Sequence, residues 1–200
     1  TVPMTGMTKD AGVYQGTIPA APVGTKVVYH IEASTDGNTE CSPEVSYTVG
    51  EVPIDYTGLA LNELNGNDKF IEIYNKGKED IHIKGISIQK DGKDVWTAPS
   101  AILKSGEFVL LYSTDVQADH AEHPDGYFFG SGLSAKKAVK VELFDPKGGS
   151  LDCFNLVNFV KKASASYSRV PDGTGAWYFT SATPAAKNAN ETADKVEGLE

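Results

Sequence analysis

Several short stretches of this chain concentrate side chains able to do chemistry. In DHAEHPDG (119–126), Asp119, His120, His123 and Asp125 bring imidazoles and carboxylates together. That donor set suits zinc or another divalent ion if the loop turns tightly enough for the His-x-x-His pair to chelate. The segment has no helical pattern to fix the two rings and no third histidine nearby, so a polar loop facing water explains it better, and no metal is assigned. NELNGNDKF (62–70) collects Asn62, Glu63, Asn65, Asn67 and Asp68, oxygen donors of the kind calcium accepts. Its spacing lacks the alternating acids and distal glutamate of a calcium loop, and a hairpin turn accounts for Asn-Gly-Asn-Asp more simply. Glu63 and Glu72 form a carboxylate pair of the kind that acid–base hydrolysis needs, provided a cleft raises one of the two pKa values. Facing carboxylates on a solvated sheet are ordinary, and the sequence shows no cleft.

The wider catalytic inventory is thin. There is no Gly-x-Ser-x-Gly elbow, no phosphate loop of the Gly-x-x-x-x-Gly-Lys-Ser/Thr type and no His-Glu-x-x-His, so no catalytic residue and no cofactor is assigned. Aromatic residues are the remaining chemical feature. Trp96, Tyr127 and Trp177, with Tyr112 and Tyr178, fall at strand ends or beside loops, where rings stack on sugars or anchor a protein partner. The other reading is that they cap the open ends of a sandwich. The segment SYSRVPDGTGAWYFTSATPAAKN (166–188) holds a Pro-Asp-Gly turn between two strand-like runs. A phosphate-binding loop needs a helix start behind it, and AWYFTS supplies a strand instead, so PDGTG is expected to close a hairpin.

These residues must be positioned by strands. VVYHIEAS (27–34), FIEIYN (70–75), IHIKGISIQ (81–89), FVLLYS (108–113) and VKVELF (139–144) alternate β-branched or aromatic residues with polar ones at a period of two. Turn residues bound each run. Asp91-Gly92, between ISIQK and KDVW, predicts a hairpin whose central positions both take positive φ. The alternation assigns Ile71, Ile73, Val139, Val141 and Leu143 to the core, with Phe70, Glu72 and Tyr74 on the opposite face. Short strands at this spacing indicate an all-β sandwich or barrel.

Composition narrows the function classes. The chain has 200 residues and a formal net charge of -9, which repels phosphate backbones, so nucleic acid is not an expected partner. No apolar run approaches the roughly 20 residues of a spanning helix. The two cysteines, Cys41 and Cys153, share no metal-ligand spacing with a histidine and read as free, half-buried residues, a bridge between them being the alternative. The chain opens at Thr1 without a leader pattern and reads as an excised piece.

From Thr57 to Asn188 the ordered pieces LALNELNGNDKFIEIYNKGKEDIHIKGISI, LKSGEFVLLYS and VELFDPKGGSLDCF resemble the lamin tail domain, an immunoglobulin-like β-sandwich also found in bacterial surface and secreted proteins. Ser-x-x-Arg-Val-Pro-Asp-Gly-x-Gly-x-Trp, followed by Thr-Pro and Asn, is similar to the closing signature of the bacterial form. Two positions depart from the resemblance: Ile86 stands where tryptophan is common, and Thr183-Pro184-Ala185 where Pro-Gly is usual. GVYQGTIPA and GTKVVYHIEAS look like late strands of a fibronectin- or immunoglobulin-like module. The chromatin role of eukaryotic lamins is not carried over, because there is no heptad region and Glu72 occupies the charged position of its strand.

The expected organisation is a partial β module at 1–50, a linker at 51–58, the lamin-tail-like sandwich at 59–190 and a frayed, disordered tail at 191–200, where Leu199-Glu200 fits an expression scar. The resemblance implies a non-catalytic binding, adhesion or spacer module of a larger, secreted or cell-surface bacterial protein, with an unknown protein or polysaccharide as partner. The alternative it implies is an accessory domain that positions a catalytic region elsewhere in the parent chain. Oligomeric state is not readable from the sequence.

Overall fold

The computed structural model describes residues 8–10, 13–50, 53–159, 165–189 and 194–200. The chain divides into two compact units, Thr1–Pro53 and Ile54–Glu200. In the first, β1 (Thr8–Asp10) pairs with β2 (Val13–Gln15), β3 (Lys26–Tyr29) with β6 (Val45–Thr48), and β4 (Glu32–Thr35) with β5 (Asn38–Cys41). The run VVYHIEAS is therefore not one strand. It breaks at His30-Ile31, where the chain changes partner from β6 to β5.

The second unit holds β7 (Leu59–Asn65), β8 (Phe70–Asn75), β9 (Ile81–His82), β10 (Ser87–Lys90), β11 (Lys93–Thr97) and β12 (Ile102–Leu103). After these come β13 (Phe108–Ser113), β14 (Phe128–Phe129), β15 (Val139–Phe144), β16 (Ser150–Leu156), β17 (Ser166–Val170) and β18 (Ala176–Thr180). Two short 3-10 segments, Thr114–His120 and Asp125–Tyr127, lie between β13 and β14. The strands form a six-stranded sheet in the order β14-β13-β8-β7-β17-β18, a four-stranded sheet in the order β11-β10-β15-β16, and a β12-β9 ribbon. This is the all-β sandwich that the period-two runs predict.

Its core forms where the apolar faces of the two sheets meet. Ile71 and Ile73 sit beside Leu64, Leu61, Leu111 and Val109 in the six-stranded sheet, while Val139, Val141 and Leu143 lie beside Leu156, Phe154 and Ile88 in the other. All belong to one buried cluster, as the alternation requires. The Asp91-Gly92 hairpin also forms, with φ of 50° and 76° at its central residues. The expected strand 81–89 is interrupted instead: Gly85 takes φ of 83° and turns the chain between β9 and β10.

Two expectations are corrected by how surfaces are covered. Phe70 and Glu72 lie opposite Ile71 and Ile73 as expected, yet they are as buried as the core, because loops run across the outer face of the six-stranded sheet. The tail is not frayed over Asp194–Glu200. Phe179 and Val196 donate backbone hydrogen bonds to Asp194 and Trp177, and Val157 and Glu200 donate to Gly198 and Asn155. This segment thus fills open backbone groups of β18 and β16, each the last strand of its sheet, and Val196 is buried there.

Candidate functional site

A bulge in β7 builds the most polar interior of the molecule. Leu61 pairs with Ile73 but Glu63 pairs with Glu72, so Asn62 is an extra residue in the ladder. The two glutamates are thereby placed directly opposite each other on the outer face of the sheet. β17 sets Ser168 beside Glu63, and β18 adds Thr180, whose hydroxyl donates to Ser168 Oγ at 2.7 Å. Both glutamates are 0% exposed.

Their enclosure comes from two connected pieces of chain. The 171–175 loop between β17 and β18 brings Asp172 and Gly173 under the bulge, and the segment after β18 brings Thr183, Ala185 and Asn188 over it. Asn62 Nδ2 donates to Glu72 Oε1 at 2.9 Å and to Asp172 Oδ1 at 3.0 Å, while Gly173 N donates to Asn62 Oδ1 at 2.8 Å. Ala185 N donates to Glu72 Oε2 at 2.7 Å, and Asn188 N to Asp172 Oδ1 at 3.0 Å. Asn188 Nδ2 donates to the carbonyls of Asn62 and Arg169. The loop needs both its glycines: Gly173 has φ of 65°, and a side chain at Gly175 would lie 2.0 Å from the carbonyl of Val170.

Burial and neighbouring charge both act on the protonation of the two glutamates. Burial pushes the Glu72 carboxyl up to about 8, the hydrogen bonds from Asn62 and Ala185 oppose this, and the nearby Glu63 and Asp172 reinforce it. Burial raises Glu63 as well, against hydrogen bonds from Ser166 and Thr183. The Thr183 hydroxyl donates to Glu63 Oε2 at 2.8 Å, with Asn188 Oδ1 a second acceptor at 3.0 Å. The expected solvated pair is thus corrected to a sealed one. Its oxygens are occupied by donors of the chain itself, so the arrangement fastens the 181–189 segment to the sheet and offers no approach to a substrate.

A second polar junction ties the two sheets together. Arg169 on β17 donates through Nη2 to Asp152 of β16 at 2.7 and 2.9 Å, through Nε to the carbonyl of Leu61, and through Nη1 to that of Gly175. Asp152 also accepts from the Leu61 amide at 2.9 Å. The guanidinium lies 4.6 Å from the Trp177 ring centre.

The aromatic candidates fall elsewhere than on an exposed surface. Trp177 and Trp96 are each 6% exposed. Trp177 packs edge-on against Phe154, and the Trp96 indole N–H donates to the Gly126 carbonyl. Tyr127 is half-buried against Trp96 and His123. The ring-capping alternative describes these residues, because a sandwich end closed by tryptophan removes a large apolar area from water. The metal candidates are not gathered either. His120 stacks on Tyr112 with ring centres 3.6 Å apart, and His123 Nε2 lies 3.0 Å from the Leu110 carbonyl, so packing takes up both rings while Asp119 and Asp125 stay on the surface.

Among the described residues, the group of metal-capable side chains that does converge is His30, Glu32 and Cys41 in the first unit, with ligand atoms all within 4.8 Å of one another. Sequence reasoning missed it, and Cys41 is exposed where half-burial was expected. The signal lay in the Asp36-Gly37 turn: a two-residue hairpin centred there sets Glu32 opposite Cys41.

Comparison with known families matches residues 54–157 to the lamin tail domain. The match ends before β17, so the carboxylate clasp is held from both sides of its end, by β7 and β8 within it and by the 171–188 stretch beyond. No curated protein matches the chain.

Proposed function

The chain belongs to the lamin tail domain family, a family of immunoglobulin-like domains, and from that premise we propose that it is a non-catalytic binding, adhesion or spacer module of a larger exported bacterial protein. The observation that carries this reading is the sealing of Glu63 and Glu72. This facing carboxyl pair, in which Glu72 is raised to about 8, is fully buried and occupied by hydrogen bonds from Asn62, Thr183 and Ala185. A group that cannot reach a substrate acts on stability instead.

A rigid sandwich with polar loops presents partners with surface shape and charge. The net charge of -9 favours neutral or basic surfaces and disfavours nucleic acid. The test is a glycan and surface-protein array run beside a hydrolase substrate panel. Array hits without turnover support binding or adhesion, and neither signal supports the spacer role. Turnover that Glu72→Gln abolishes, in protein that remains folded, overturns the non-catalytic reading.

A further inference from the structure

We propose that His30, Glu32 and Cys41 form a zinc site with a fourth, solvent-facing position. His30 lies in the break between β3 and β4, and its ring nitrogen Nε2 comes to 3.0 Å from Glu32 Oε1. Cys41 is the direct cross-strand partner of Glu32 in the β4–β5 hairpin. The register is fixed at both ends. Asp36 and Gly37 take φ of 42° and 90°, forming the tight turn that closes on the Thr35–Asn38 pair. At the open end, Ile31 N donates to Ser42 Oγ at 2.9 Å, and Ser42 N donates back to the Ile31 carbonyl at 2.8 Å. The hairpin therefore sets Glu32 opposite Cys41, and the contact of His30 with Glu32 brings the third ligand to the same place.

The spacing and donor types select the ion. His30 Nε2 lies 3.0 Å from Glu32 Oε1, and the three ligand atoms are within 4.8 Å of one another. A tetrahedral zinc with bonds of about 2.0–2.3 Å asks its ligands to stand about 3–4 Å apart, so small rotamer adjustments suffice. Thiolate with imidazole and carboxylate suits zinc and disfavours calcium or magnesium, which take oxygen ligands. Binding breaks the Cys41 S–H bond, forms a zinc–sulfur bond and passes the proton to solvent. Glu32 and Cys41 are both exposed, so the metal has an open entry path and its fourth position takes water or a donor atom from outside.

The experiment uses the reduced, untagged full chain with cobalt(II) as an optical probe for zinc. One equivalent of cobalt is expected to give a thiolate-to-metal charge-transfer band with the strong visible bands of four-coordinate cobalt, and zinc is expected to displace it. Cys41→Ser removes the charge-transfer band, while His30→Ala and Glu32→Gln each weaken zinc binding by at least ~10-fold, the loss seen when even an orienting partner of a ligand is removed. Circular dichroism of each variant verifies that the chain stays folded. The proposal is overturned by an absence of binding at micromolar metal, by binding that survives Cys41→Ser unchanged, or by a charge-transfer band that follows Cys153 instead.

Discussion

Glu72 is held where a charge is hard to keep, and the consequence is a pH dependence of known sign. Its carboxyl is raised from 4.5 to about 8, chiefly by burial, so the folded chain binds this proton more tightly than the unfolded chain does. Below the unfolded value both states are protonated and the full contribution is present. As pH rises from there toward 8 the unfolded chain releases the proton first, and this part of the stability drains away. Glu72→Gln keeps the shape without the charge. Relative to wild type it is expected to gain on the order of 2 kcal/mol between about pH 5 and pH 8, read from denaturant midpoints. The raised Glu63 keeps a slope of the same sign in the variant. A wild-type–variant difference that stays flat over this range contradicts the buried-carboxyl account. Ala185 offers a second test. It aims its N–H at Glu72 from φ of 56°, a left-handed conformation that strains a side chain and suits glycine. Ala185→Gly is therefore expected to stabilise the chain by about 1 kcal/mol, and a loss of stability on thermal denaturation would show that the Ala185 methyl matters more than the strain.

Among the elements, β7, β16 and β17 meet at Arg169 and Asp152, which join the six-stranded sheet to the four-stranded one. Their side chains are 15% and 16% exposed, so truncating one leaves the other short of partners in a poorly solvated place. Arg169→Ala is expected to cost about 3 kcal/mol by chemical denaturation. Arg169→Lys is expected to recover little, because an ammonium cannot serve Asp152, Leu61 and Gly175 in one plane. A cost below about 0.5 kcal/mol for Arg169→Ala would make the junction incidental. The strand pattern of FIEIYN and VKVELF was legible because each residue's face depends only on its immediate neighbours. The sealing of Glu72 was not, since it depends on a bulge at Asn62 and on Thr183 and Ala185 arriving from far along the chain. Trp177 stood between stacking on a partner and capping the sandwich for the same reason: a ring beside a turn is exposed or buried according to what the opposite sheet places over it, here Phe154. The Arg-Val-Pro-Asp-Gly segment marked the right place all the same. Arg169, Asp172, Thr183 and Asn188 carry the two polar junctions that the strands alone do not explain.

At the scale of the whole molecule, stability is unevenly shared between the two units. The buried cluster runs from Leu59 to Val196, entirely within Ile54–Glu200. In the first unit, β4, β5 and β6 are exposed along their described lengths, and Val28, Ile31, Val45 and Tyr47 are exposed as well. A ladder with little apolar burial opens locally at small free-energy cost, whereas amides beneath a packed core wait for global unfolding. Native-state hydrogen exchange is therefore expected to separate two classes. Amides of the β3–β6 ladder exchange at least ~100-fold faster than those of Ile71, Leu111 and Val141, whose residues are fully buried. The denaturant dependence sharpens the distinction, because local opening exposes little surface and responds weakly to denaturant, while the core amides follow the full unfolding slope. If β3 and β8 amides exchange at one rate with one slope, the units unfold together, and the packing of Ile54–Glu200 does not set the stability of the sandwich alone.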